Sequence, residues 1–411
     1  MRRVYPNLCS GFAFTIRVLL SKQRKYLSSQ QQRCSLTQFA MKQLKRLKIE
    51  GFKSIKGLNL ELKDVNVLVG PNGSGKSNFI SFFRMLQALI HHDLQLFVQQ
   101  AGQADALLYY GPKVTEHIRA DFYFGRNGYS FKLIPTKDSR LVFACEKLHF
   151  DGDGPTSQGI GKGHQESNLR NTYRENPTDT LGQVYSWLGK CMVYHFHDTG
   201  AQAPPKRPCN INDNDGLRSD AGNIAAFLYL LQEQHAEQYH LIRKVVQRIF
   251  PRFDDFALRP NPHNPETIRL EWREKGSDYR FQPHQLSDGT LRFICLATVF
   301  LQPSLPTAII VDEPELGLHP RAIGVLAGLV RSAASRSQVI LSTQSVTLLN
   351  QFDPEDIIVV DREEDTENGL RSSHQSESIF RRLEDQRGLQ DWLRDYTVGE
   401  LWEMNMIGGR P

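Results

Sequence analysis

Apolar residues recur in two rhythms along this chain, and the chemistry sits where one rhythm gives way to the other. Leu44, Leu47 and Ile49 supply the apolar positions of a first strand, Leu58, Leu60 and Leu62 alternate as a second, and Val65–Val69, apolar but for Asn66, is a short run suited to the middle of a sheet. Helical spacing follows, with Phe79, Phe82, Phe83, Leu86, Leu89 and Ile90 on one side. Residues 118–124 and 129–134 alternate about a turn at Gly125–Gly128 and predict a hairpin, and a further strand pair is expected over 141–149. The polar stretch 151–180 and the proline-punctuated stretch 201–222 read as loops. Between and after them lie an apolar segment, 184–196, and a helical stretch, 223–250. The latter carries one stripe of Ile224, Phe227, Leu228 and Leu231 and another of Leu241, Ile242, Val245 and Ile249.

Strands expected at Thr267–Glu271 and Tyr279–Gln282 lead into a small-residue turn, Leu286-Ser-Asp-Gly-Thr290, at the head of an apolar helix, Leu291–Leu301. After a break at Pro303–Pro306 comes a β-branched strand, Ala308–Val311, ending in Asp312-Glu313. An amphipathic helix over 321–335, a strand at Gln338–Leu341 and a last strand at Ile357–Val360, followed by an acidic loop, complete the pattern. Strands alternating with helices predict an α/β fold. A chain of 411 residues has room for two or three domains. No internal repeat and no long heptad run appears.

The apolar strand at 65–69 runs into Gly70-Pro71-Asn72-Gly73-Ser74-Gly75-Lys76-Ser77, with Asn78 next, and a helix follows. This is GxxxxGK[ST] in its confirming context. Glycines let backbone N–H groups turn inward around phosphates, Lys76 reaches the β/γ-phosphates of ATP, and the Ser77 hydroxyl ligates Mg²⁺. An apolar strand ending in two acids could by itself be a strand entering a turn. With the phosphate loop present, Asp312 becomes the residue that holds Mg²⁺ and Glu313 the base that orients the attacking water. Ser287 and Gly289 open a second helix whose N-terminus suits a γ-phosphate, yet the first phosphate cradle is already supplied by residues 70–77.

Charge refines this picture little. The first 49 residues hold 11 Lys or Arg and no acid, and the remainder has 39 basic against 45 acidic residues. The overall charge of +5 is therefore a property of one terminal segment and carries no general argument for nucleic-acid binding. That segment, 1–40, has the composition of a transit peptide, and reads equally as an unstructured or non-native extension preceding Met41. Six scattered cysteines without a CxxC indicate neither a disulfide framework nor a zinc knuckle and point to a reducing, cytoplasmic setting. No run of 18 apolar residues exists, so membrane insertion is not expected.

The phosphate loop, the LSDGT turn, the aliphatic strand ending Asp312-Glu313-Pro314-Glu315 and the Thr343-Gln344-Ser345 that follows the next strand resemble, in this order, ABC-type ATPase heads. The likeness is to the SMC/RecF group and the ATPase half of the OLD family, and it covers about Met41 to the end. It implies a P-loop NTPase with a RecA-like, mostly parallel core, an antiparallel β-subdomain and an inserted helical lid. The implied organisation is an N-terminal lobe at 41–150, the lid at 151–265 and a C-terminal lobe at 266–411. It also implies a homodimer that closes on ATP. Ser287 and Gly289 would then act in trans, Lys76, Ser77, Asp312 and Glu313 in cis, and Lys53, in Phe52-Lys-Ser54, would lie near the phosphates. Residues 315–320 take the place of the loop linking the two sites, and Gln344 replaces the switch histidine. Of the candidates for a glutamine loop, Gln100 and Gln103 read equally as surface residues. Implied partners are DNA and a separately encoded nuclease or other effector, in DNA repair or anti-phage defence. A transporter ATPase subunit and an OLD-like nuclease are the alternatives.

Other constellations are less specific. His195 and His197 on one strand face could bind a metal or could be satisfied strand-end histidines. Asp361, Glu363, Glu364 and Asp365 read as a solvated loop. Trp392, Leu393, Tyr396, Leu401 and Trp402 form a stripe suited to core packing or to docking of a partner.

Overall fold

The computed structural model describes residues 43–409, apart from 152–154, 176–178 and 368–369. The basic segment 1–40 lies outside the described residues.

Two six-stranded sheets organise the chain. The first is antiparallel and combines β1 (Arg46–Phe52), β2 (Ile55–Glu61), β4 (Ile118–Phe124), β5 (Asn127–Pro135), β6 (Leu141–Asp151) and β7 (Pro155–Gly161), in the order β2-β1-β4-β5-β6-β7. The second combines β3 (Val65–Val69), β8 (Cys191–Tyr194), β14 (Ala308–Asp312), β15 (Gln338–Thr343), β16 (Ile357–Glu367) and β17 (Leu370–Arg382), in the order β17-β16-β3-β15-β14-β8. Its strands are parallel except for β17, which returns antiparallel on β16. Every residue of β3 and β15 is buried, as expected where both faces of a parallel sheet are covered.

Helix α1 (Lys76–His91) fills the space between the sheets, which is why it buries more than one stripe. Phe82 meets Phe52 and Phe122 of the antiparallel sheet at ring distances of 5.5 and 6.1 Å, while Gln87 donates to Cys191 O of β8 at 2.8 Å. The remaining helices are α2 (Leu94–Gln100), α3 (Leu169–Glu175), α4 (Asp179–Gly189), α5 (Ile224–Gln234), α6 (Ala236–Ile249), α7 (Asp288–Leu301) and α8 (Pro320–Ala334), together with shorter turns. Small sheets built from β9 (Cys209–Asn210), β11 (Pro260–Asn261) and β12 (Asn264–Ile268), and from β10 (Phe253–Phe256) and β13 (Trp272–Glu274), complete the middle of the chain.

Several expectations need correction. The strand pair expected over 141–149 is one strand, β6, and its partner β7 lies inside the stretch read as a loop. Ser157, Gln158 and Gly159 are exposed, so this edge strand forms through backbone pairing and leaves no apolar signal. The same stretch contains α3, anchored by buried Leu169. The region expected as an inserted lid also gives β8 to the main sheet, level with β14. Residues 223–250 form two helices that part at His235, and α6 buries Tyr239, Ile242 and Val246 rather than Leu241 and Val245. Residues 279–282 make a single bridge, Phe281 to Trp272, before Pro283 ends extension.

The acidic loop expected after Val360 is a continuation of β16. Pairing with β17 brings Arg381 against both Asp361 and Glu363, at 3.6 and 3.1 Å, so cross-strand charge pairs replace apolar alternation. At the C-terminal end Leu401 and Trp402 are buried, whereas Tyr396 is exposed.

Candidate active site

The parallel strands end together, and the chemical motifs sit at that rim. Gly70 follows β3, and a Cβ there would fall 2.1 Å from Val360 O of β16. Gly75 (φ +116°) is the N-cap of α1, and a Cβ there would collide with Ser378 Oγ of β17. At Gly73 (φ +80°) nothing lies within 4 Å, so the left-handed backbone alone requires glycine. The first turn of α1 holds no acid and no side-chain cap, which leaves its N–H groups facing outward for an anion.

Ser74 Oγ is buried without a partner inside this loop. Lys76, also buried, donates to Gly70 O and Pro71 O at 2.5 and 2.9 Å. Burial lowers its pKa, while Glu313, Asp312 and Glu315, in that order, pull it upward. An inward-turned backbone, an orphaned hydroxyl and a cation held by nothing better than carbonyls fit a phosphate chain.

Facing the loop, β14 ends at Asp312, paired with Ser342 of β15. Ser342 Oγ donates to the Asp312 carboxylate, and the Glu313 N–H donates to Ser342 O at 3.0 Å. Glu313 holds φ +43°, a conformation that a non-glycine residue adopts only when its surroundings enforce it. Gln344 Nε2 donates to Glu313 Oε1 at 2.6 Å and to Asn72 Oδ1 at 2.8 Å. One amide therefore ties the candidate base to the tip of the phosphate loop. Glu315 accepts from Thr343 Oγ1 at 2.5 Å and from Gln344 N at 3.3 Å, and burial raises its pKa. Exposed Ser77 on the first turn of α1 and the Asp312 carboxylate are both hard oxygen donors, the set that suits Mg²⁺.

Ser287 is the N-cap of α7; its Oγ accepts from Thr290 N at 3.2 Å and it is otherwise exposed. Among the described residues no hydrogen bond joins Ser287 or Gly289 to residues 70–78. Lys53 donates to Ser81 Oγ at 2.8 Å, one turn beyond Ser77, with its pKa lowered by burial and then by Arg84. Its neighbour Ser54 is the residue that abuts the loop, bonded to Asn78 and Ser378, each at 2.7 Å. Asn78 therefore braces the loop from below through this contact.

Gln100 and Gln103 are exposed, and no bond links either to the rim. The strand end beside Asp312 carries His195 and His197 instead. His197 Nε2 lies 2.9 Å from Asp312 O, and His195 Nδ1 lies 3.2 Å from Arg84 Nη2. Burial, His197 and Arg84 push the His195 pKa down to about 4 against the pull of Asp312. Among the described residues no three His, Cys, Asp or Glu side chains cluster to hold a metal ion. No helix among them is long and apolar enough to cross a membrane.

Ser378 escaped the sequence reading because β17 carries serines where a strand signal needs apolar residues. Arg292 and Ser342 escaped it because both act on main-chain carbonyls or neighbours that only the fold supplies. A lone charge in the apolar run 291–301 was the one available sign of Arg292.

Two families match the chain: "AAA ATPase domain" over residues 41–147, and "AAA domain, putative AbiEii toxin, Type IV TA system" over residues 204–350. An OLD nuclease of Thermus scotoductus is 23% identical over 347 residues, which span 78% of this chain and 63% of that protein. A protein of Methanosarcina acetivorans named "Putative ABC transporter ATP-binding protein" is 26% identical over 184 residues, 44% of this chain and 59% of that one. The chain thus matches about three fifths of the length of these curated relatives. Among solved structures, an Smc head bound to the C-winged helix domain of ScpA superposes with a TM-score of 0.53 at 17% identity, covering 83% of this chain and 98% of that one. At that identity the likeness concerns the fold, a P-loop NTPase of the head type.

Proposed function

Starting from a chain that belongs to the SMC/RecF/OLD-like AAA ATPases, we propose that it is an ATP-driven switch whose two active sites are each shared between two copies. The observation that carries this reading is a division of the motifs. Residues of the phosphate loop, Asp312, Glu313 and Gln344 converge on one rim, whereas exposed Ser287 and half-buried Gly289 remain apart and unbonded to it among the described residues.

In this reading the loop from Gly70 to Asn78 wraps the triphosphate and Lys76 exchanges its two carbonyl bonds for phosphate oxygens. Ser77 and Asp312 would hold Mg²⁺, which would supply neutralisation of the phosphate charge. Glu313 takes the proton from the attacking water, and Gln344, already bonded to its carboxylate, fixes where that water stands. Ser287 and Gly289 of a second copy bring N–H donors and a hydroxyl to the γ-phosphate, so ATP joins two heads and hydrolysis releases them. Affinity for nucleotide then differs between the joined and separate states, which is the condition for a ligand to drive a switch.

The OLD nuclease relative suggests DNA, or a nuclease acting with this chain, as the object of the switch in repair or defence within the cytoplasm. Replacement Glu313→Gln is expected to keep ATP binding, slow turnover by about 10²–10⁴-fold and accumulate an ATP-dependent dimer on sizing. A monomer with ATP bound would refute the shared site. Stimulation of turnover by duplex DNA favours the DNA-linked role over a transporter subunit, and indifference to DNA reverses that preference.

A further inference from the structure

Within helix α7 the stretch Leu291–Leu301 holds a single charged residue. From Leu291 to Leu301 every residue is buried, and Arg292, 5% exposed, stands among them. Among the described residues no carboxylate lies at ion-pair distance from it. Its guanidinium donates instead to three main-chain carbonyls on two other segments: Nε to Phe196 O at 2.9 Å, Nη2 to His197 O at 3.2 Å, and Nη1 to Leu316 O. Phe196 and His197 follow β8, and the His197 ring reaches back to Asp312 O. Leu316 lies in the loop that leaves Glu313.

The first turn of α7 is pressed onto that loop. A Cβ at Gly289 would fall 2.2 Å from Gly317 O. On the other side Lys206, its side chain nearly buried, donates to Thr199 O at 2.6 Å and lies 3.5 Å from Asp288. Burying a cation on which carboxylates, Asp288 and Glu315, act only from beyond ion-pair distance is costly, and the three carbonyl acceptors offset part of that cost. A planar fork that engages several carbonyls at once is what arginine alone supplies.

We propose that Arg292 is a positioning residue that makes the Ser287–Gly289 turn, the loop after Glu313 and the end of β8 move as one body. Engagement of the turn by a second copy is then felt at the hydrolytic carboxylate. This rests on the shared-site reading above.

Replacement Arg292→Met removes the buried charge but leaves three carbonyls without their donor, so the fold is expected to survive with a lower melting temperature. Under saturating ATP, kcat should fall at least about tenfold while KM changes by less than about twofold, the signature of an interaction felt after binding. Arg292→Lys keeps the charge but not the fork, and should lose as much kcat. It also serves if the methionine variant fails to fold.

Amide exchange on the nucleotide-free protein supplies a readout independent of turnover. Segments 195–198, 286–291 and 314–318 should all exchange faster in either variant, with strands 65–69 and 338–343 unchanged. Wild-type kcat in the lysine variant, or wild-type exchange in those three segments, overturns the proposal. If the wild type shows no turnover that Glu313→Gln removes, the function above fails, and the exchange result still decides the role of Arg292.

Discussion

Gln344 places a neutral amide where it must both hold Glu313 and reach Asn72, and neutrality has a consequence for pH. An amide donates in the same way at every physiological pH, so this position adds no titration to turnover. Gln344→His is expected to create one. A neutral imidazole can still donate to Glu313, but a protonated one pairs with the carboxylate and lowers its basicity. Turnover of the variant should therefore fall as pH drops through roughly 6.5, the ordinary imidazole midpoint. Parallel pH profiles for variant and parent would show that Gln344 does not act on the base. The position of this residue beside the candidate base was legible because its place in the motif order is fixed. Lys53 shows the limit of such reading: its main chain turns with φ +49° and its ammonium goes to Ser81, which leaves Ser54 at the loop.

Strands β3, β14 and β15 were readable because each carries a cluster of consecutive apolar residues, and burial on both faces is what a central parallel strand requires. Ile310 lies fully buried in β14, level with Val193 on one side and Ile340 on the other. Ile310→Ala should cost about 2–5 kcal/mol, seen as a lower urea midpoint with an unchanged slope. A loss below about 1 kcal/mol would mean the sheet closes over the gap. Strands β7 and β17 were illegible for the opposite reason: each is an edge, satisfied by pairing on one side, and its sequence is free to be polar. The site divides in the same way. Residues proposed to meet the phosphates by type, such as Lys76 and Ser77, stand in a recognisable spacing, whereas Arg292 and Ser378 find their partners only after distant strands have been brought together.

The two sheets, with α1 between them, form the frame on which the exposed turn at Ser287 is presented. A bulky cation at that turn should leave the frame and the phosphate loop untouched and obstruct only a second copy. Ser287→Arg is accordingly expected to bind ATP as the parent does, to stay monomeric with ATP, and to lose turnover by at least about tenfold through loss of the γ-phosphate donors. An ATP-dependent dimer in this variant would move the interface elsewhere.

Finally, the phosphate loop rests on residues far downstream of it, from β16 onward. Val360 O closes on Gly70, Ser378 lies beneath Gly75, and Gly409 packs on the Cα of Gly70. During synthesis the loop emerges early, braced by nearby contacts such as that of Asn78 with Ser54, and its backing strands follow much later in the chain. The full shape of the loop, and with it competence for nucleotide, therefore waits on those downstream strands.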